Sequence, residues 1–224
     1  MKKLMSAVIL ITAVVLQGAD YAELNKEAAA AAKAKDFAAA EAKYTEAMKA
    51  AANSVQKSQA ILGKYQALRS QKKWKESEDF MTEAVEDEML KPEQIRHLLN
   101  IFAASYLWTN RFEFGLSLLQ QAQNQQCPKT SNAYYNTYYY MATIYLRKKQ
   151  PQAAIEALSE VMKVKGVHPA NLYTGSMTIG SAYEKLGKKE EALKCYQQAL
   201  NYGKQVKYKF DYSPAQKAID RLSK

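Results

Sequence analysis

The stretch Ile179–Leu200, IGSAYEKLGKKEEALKCYQQAL, decides how the rest of this chain reads. Gly180 and Tyr183 lie three positions apart and share a helix face, so the glycine admits a neighbouring helix while the tyrosine fills the gap beside it. Gly187 takes φ > 0 at no steric cost and ends that helix. Ala192, Tyr196 and Ala199 follow at spacings of four and three, a small, large, small stripe along a second helix. The product is an antiparallel helix pair that cannot bury both faces alone and must stack on neighbours.

Working outward, four weaker copies of this stretch precede it. Ala28 and Ala31 stand at the offsets of Gly180 and Tyr183, followed by Phe37, Ala40, Tyr44 and Ala47. A second copy turns at Trp74 and continues with Ser77, Met81 and Ala84. Its first helix departs from the pattern: Tyr65 replaces the small residue and Leu68 follows, which predicts a shifted packing that draws on Gly63. A third carries Ala103 and Tyr106, then Phe112, Gly115, Leu119 and Ala122; a fourth carries Ala142 and Tyr145, then Pro151, Ala154, Leu158 and Val161. The residues expected to open the second helices are Phe37, Trp74, Phe112, Pro151 and Lys189, at successive spacings of 37, 38, 39 and 38. Unrelated helices would not keep one period.

The offsets held by Gly180, Tyr183, Gly187, Ala192, Tyr196 and Ala199 resemble those of the tetratricopeptide repeat (TPR), with a period about four residues longer than that repeat's minimal 34. The resemblance implies an all-α fold, a right-handed α-solenoid of about five TPR-like helix pairs plus a C-terminal capping helix. That last helix is expected to start with Ser213 as N-cap and Pro214 after it, Ala218 and Leu222 covering the open end of the fifth pair. Pro92, Pro128, Pro151, Pro169 and Pro214 all fall before or within the first turn of an expected helix, where a missing N–H does no harm.

Residues 1–19 read as a signal peptide, with residues 20–224 as one TPR-like superhelical domain. Lys2 and Lys3 give the positive start, and Leu4–Leu16 is an apolar run too short for a membrane span of about 20 residues. Cleavage after Gly18, Ala19 or Ala22 is left open. The reading implies export, to a bacterial periplasm or to the exterior, and after cleavage no transmembrane span; the absence of any Asn-X-Ser/Thr acceptor favours a bacterium. Cys127 and Cys195 fall in different repeats with a whole repeat between them, too far apart for a bridge whose Cα atoms must lie within about 7 Å. Two free thiols are expected, Cys127 in a loop and Cys195 half-buried.

Catalytic chemistry has little to stand on. Neither histidine, His97 or His168, has a second ligand at metal spacing, and the glycines are scattered singly. The carboxylates Glu76, Glu78, Asp79, Glu83, Glu86, Asp87 and Glu88 fit a solvated helix face rather than an acid–base pair. No catalytic residue, cofactor or metal is expected, and the chain reads as a noncatalytic scaffold or adaptor; the competing reading is a subunit of a cell-envelope enzyme or assembly complex.

Two features rise above this background and bear on a partner. Residues 20–140 hold 15 basic and 15 acidic residues, whereas 141–224 hold 15 and 7, so the positive charge lies in the C-terminal part. Solubility explains that excess, or an acidic partner or anionic envelope surface facing Lys204, Lys207 and Lys209 does. The second feature is the cluster Tyr134, Tyr135, Tyr138, Tyr139 and Tyr140, too dense for every ring to face inward. Tyr138 takes a core offset and Tyr139 one that, in the family, faces the concave groove. Carried onto the third and fourth repeats, the family's groove offsets select His97, Asn100 and Trp108, then Asn136, Tyr139 and Arg147. The carboxylate clamp of chaperone-binding relatives is absent, since Asn100 and Ala104 occupy offsets it needs. Bridging between adjacent repeats is the plainer role for the same side chains, and export argues against nucleic acid.

Overall fold

The computed structural model describes residues 20–224 and contains, among them, α-helices and no strand. The expected signal peptide lies outside the described residues. Helix α1 occupies 20–33, followed by α2 (Phe37–Ala50), α3 (Ser54–Ser70), α4 (Trp74–Ala84), α5 (Pro92–Ala104) and α6 (Phe112–Asn124). Next come α7 (Asn132–Arg147), α8 (Pro151–Met162), α9 (Pro169–Lys185), α10 (Lys189–Lys204) and α11 (Ser213–Leu222). Phe37, Trp74, Phe112, Pro151 and Lys189 each open a helix, as the spacing predicts. No helix among the described residues is long and apolar enough to cross a membrane.

Two compact units divide the chain, one ending at Leu98 and the other running from Leu99 to Lys224. In the first, Tyr21, Ala47, Ala51 and Ala60 form a small core between α1, α2 and α3. Asp36 and Asn53 cap α2 and α3 by accepting the N–H groups of Ala39 and of Val55 and Gln56. The shifted packing of the second repeat is realised through Gly63: a Cβ there would lie 2.4 Å from the Tyr44 ring, so glycine alone lets α3 close on α2. Tyr65 and Leu68 are both buried. Lys57 pairs with Asp87 at 2.9 Å, and Glu76, Asp79, Glu83, Glu86 and Glu88 are exposed.

In the second unit the core joins Tyr135 and Ala142 of α7 to Ala154, Ile155, Leu158 and Val161 of α8 and Ala182 of α9. Gly180 serves α9 as Gly63 serves α3, its missing Cβ replaced by the Tyr196 ring 2.7 Å away. α11 closes the unit. Ala218 packs with Ala192 and Tyr196, Leu222 lies against them, and Arg221 binds Glu184 of α9 at 2.7 Å through both guanidinium ends. Ser213 is the first residue of α11 and not its N-cap: Tyr212 holds that position, while the Asp211 carboxylate accepts the Ser213 N–H at 2.9 Å. Both cysteines are free, Cys127 in the loop after α6 and Cys195 half-buried on α10.

Candidate recognition surface

Helix α7 carries most of the residues singled out by sequence. Ser131 caps it through a hydrogen bond from Tyr134 N–H at 3.2 Å. Its inward stripe is Ala133, Tyr135, Thr137, Met141, Ala142 and Ile144, all buried. The deeply placed tyrosine is therefore Tyr135, 2 % exposed, with its hydroxyl 2.9 Å from Thr174 Oγ1 on α9, and burial pushes its phenol far above the ordinary range. Tyr138, expected in the core, is half-buried against Tyr134 at a centroid distance of 5.0 Å. Four-residue steps back from Met141 reach Thr137 and Ala133, all buried, and Tyr138 stands one position round the helix from that row, packed against the core at its margin.

The groove candidates sort into three groups. Asn100 belongs to the interior, contrary to its expected place on an open face. It is 1 % exposed and its Nδ2 donates to the Ala133 carbonyl at 2.7 Å, the same oxygen that accepts from Thr137 Oγ1 at 3.0 Å. Asn100 thus bridges α5 to α7, and its own Oδ1 has no partner. His97, expected to be exposed on its helix, is half-buried on α5, where desolvation lowers its pKa and favours the neutral imidazole.

Trp108 and Arg147 form the second group, and the structure brings them together. Trp108 lies in the connection between α5 and α6, is 78 % exposed, and has the Arg147 guanidinium 4.4 Å above its ring. Stacking of this kind leaves the guanidinium edge open to a carboxylate, and Arg147 forms no ion pair among the described residues. Neighbouring Lys148 pairs with Glu113. Asn136 and Tyr139 are the third group, both half-buried on α7; Tyr139 stacks on Tyr135 at 5.9 Å with planes 18° apart and leans on Tyr140 at 5.6 Å. Each ring is held by another, which fixes Tyr139 in place.

Lys204, Lys207 and Lys209 are all exposed at and beyond the end of α10. Sequence reading missed the aromatic contacts beside them, where Tyr208 lies against His168 and Phe210 against Tyr173. The alternation of lysine with aromatic residues over 207–210 was the available signal. Among the described residues no group of His, Cys, Asp and Glu is arranged to hold a metal ion.

Helix pairs joined mostly by short turns, with glycine facing a tyrosine ring at the close approaches of Gly63 and Gly180, define a stacked helical-repeat protein. Residues 175–205 match the family model of the tetratricopeptide repeat. No curated protein matches the chain by sequence. Similar solved structures include BtubC from P. vanneervenii, with a TM-score of 0.68 and 13 % identity over 89 % of this chain and 82 % of that one. PilF from Pseudomonas aeruginosa follows with 0.61 and 11 % identity, over 92 % and 90 %. YrrB, described as a TPR protein with an unusual peptide-binding site, gives 0.54 and 16 %, over 88 % and 90 %. The chain carries a tetratricopeptide repeat and has the fold of proteins built from such repeats.

Proposed function

We propose that the protein is an exported, noncatalytic scaffold of a bacterial periplasm that holds an extended or helical segment of another protein against the first-helix face of its second unit. The observation that carries this reading is the Trp108–Arg147 pair, a largely exposed indole with an unneutralised guanidinium stacked on it at 4.4 Å. Trp, Tyr and Arg are the side chains most often found as binding hot spots, and an indole 78 % exposed adds little to the core. Asn136 and Tyr139 extend the surface along α7, with Asn100 holding that helix from beneath through the Ala133 carbonyl. Peptide binding by YrrB, which shares the fold, supports the class of ligand.

The test is capture of partners by the purified protein, identified by mass spectrometry, beside the Trp108→Ala and Tyr139→Ala/Arg147→Ala variants. Loss of the same partner from both variants at an unchanged melting temperature is the expected result. Retention of every partner by folded variants moves the site elsewhere. Fractionation of the source cells with N-terminal sequencing checks export, and recovery of the protein with residues 1–19 intact in the cytoplasm overturns it.

A further inference from the structure

The connection between α10 and α11 runs through Lys207, Tyr208, Lys209, Phe210, Asp211 and Tyr212. It is pressed back onto the helices it joins. Gly203, in the last turn of α10, permits this: a Cβ there would lie 2.6 Å from the Cβ of Tyr212, so any side chain would push the connection away. Phe210 then meets Tyr173 of α9 edge to face, centroids 5.0 Å apart and planes at 90°, within a cluster that includes Ala199, Leu200 and Ala215. Tyr208 stands edge-on to Phe210 at 6.2 Å and lies nearly parallel to His168 at 6.1 Å. His168 is itself fixed, its Nδ1 accepting the Ala170 N–H at 3.2 Å as the cap of α9. The rings form a supported ledge whose outer member, Tyr208, is 57 % exposed.

The ledge is net positive, three lysines standing against one carboxylate of the connection, Asp211. Lys204, Lys207 and Lys209 are exposed and form no ion pair among the described residues. The nearest carboxylate in sequence, Asp211, is engaged with the Ser213 N–H, which together with the Ser213 side chain lowers its pKa.

We propose that this ledge is a second docking site, separate from the first-helix face, for an acidic protein segment that also carries apolar side chains. Carboxylates of the segment pair with Lys204, Lys207 and Lys209, and an apolar side chain lies across Tyr208. Charge complementarity selects the occupant, because the lysines attract carboxylates and repel cationic segments before contact. The fixed aromatic ring adds contact area at little rotamer cost. An anionic bilayer is a poorer match, since its recognition takes clusters of about 4–8 Lys or Arg. Single-stranded nucleic acid takes successive open rings, and here Phe210, next to Tyr208 in the ledge, is partly buried against Tyr173.

The experiment is fluorescence anisotropy of the full chain with a labelled synthetic peptide alternating glutamate and leucine, against a twin with glutamine for glutamate. The glutamate peptide is expected to bind, and to weaken as the screening length falls from about 10 Å at 0.1 M salt to about 3 Å at 1 M. Tyr208→Ala, and the triple change of Lys204, Lys207 and Lys209 to glutamine, each weaken it by roughly fivefold or more at an unchanged melting temperature. Gly203→Ala keeps every charge and ring yet weakens binding, because the ledge is displaced. Tyr139→Ala/Arg147→Ala leaves this binding intact, which separates it from the first-helix face. Equal binding of the twins, binding of neither, or full binding by the triple variant overturns the proposal. Tighter binding of phosphatidylglycerol vesicles or of a single-stranded oligonucleotide than of the glutamate peptide overturns it as well.

Discussion

Two connections in the second unit do the same job, turning the chain from the first helix of a repeat into its second, and do it differently. Between α9 and α10 three residues suffice, because Gly187 adopts φ 73° and the Lys188 N–H returns to the Tyr183 carbonyl at 2.9 Å. Between α5 and α6 the chain takes residues 105–111. Asn110 holds the offset of Gly187 there and has no positive φ. The chain instead tightens through Tyr106 N–H to Ala103 O at 2.9 Å and Leu107 N–H to Ala104 O at 3.2 Å, and Trp108 is left outside. The compact turn serves stacking, and the loose one displays a side chain. Lys35, Lys72 and Lys149 hold the same offset as Gly187 with φ of 64°, 62° and 59°, so those turns are compact at the expense of backbone strain.

Substitutions at matched offsets break or sharpen this contrast. Gly180→Ala should cost the most, roughly 1–3 kcal/mol by denaturant melting, because its Cβ meets the Tyr196 ring, which is 3 % exposed and cannot swing away. Ala103 holds that offset in the third repeat and is fully buried, so Ala103→Gly should lose about 0.5–1 kcal/mol from helix entropy. Gly187→Ala meets no atom within 4 Å and should cost about 1 kcal/mol through φ alone. Asn110→Ala should stay within about 0.5 kcal/mol, whereas Lys72→Gly or Lys149→Gly should gain up to about 1 kcal/mol.

Acid provides a further contrast. The Arg221 hydrogen bond, against the opposing effect of burial and with help from the Tyr196 hydroxyl, lowers the Glu184 pKa below its usual 4.5. A lowered folded value stabilises above the unfolded one, so this contribution is present at neutral pH and is lost as pH falls below 4.5 and through the folded value. Glu184→Gln should lower the midpoint at neutral pH by about 1–3 °C and flatten its acid dependence in that window. The third repeat has Leu107 at the offset of Glu184 and no such term. Trp108→Ala should change stability least, within about 0.5 kcal/mol, since the ring is mostly in water.

What the sequence discloses follows the range of the interactions concerned. The second-helix openings are set by the local spacing of small and aromatic residues, with Pro151 and Gly187 marking two of the five turns, so Phe37 through Lys189 could be placed from pattern alone. The close approach at Gly63 was readable because a glycine beside an out-of-place Tyr65 has few other uses. Assignments within the tyrosine cluster depend on which face of α7 meets α8 and α9, and that made Tyr135, not Tyr138, the buried ring. The family's groove offset puts Asn100 on an open face, and an offset along one helix does not report what the neighbouring helix requires. Its burial goes with a contact 33 residues away, its Nδ2 donating to the Ala133 carbonyl of α7. The ledge at Tyr208 required the fold-back at Gly203, which has no local signature.

The clasp between Glu184 and Arg221 joins α9 to α11 and has the Tyr196 hydroxyl of α10 as a third member. Stacked repeats open from their ends, one unit at a time, with amide exchange reporting each opening. With its outermost helix tied past α10 to α9, release of α11 alone breaks contacts to both helices. The amides of α9, α10 and α11 should therefore lose protection together, as one exchange unit rather than a gradient.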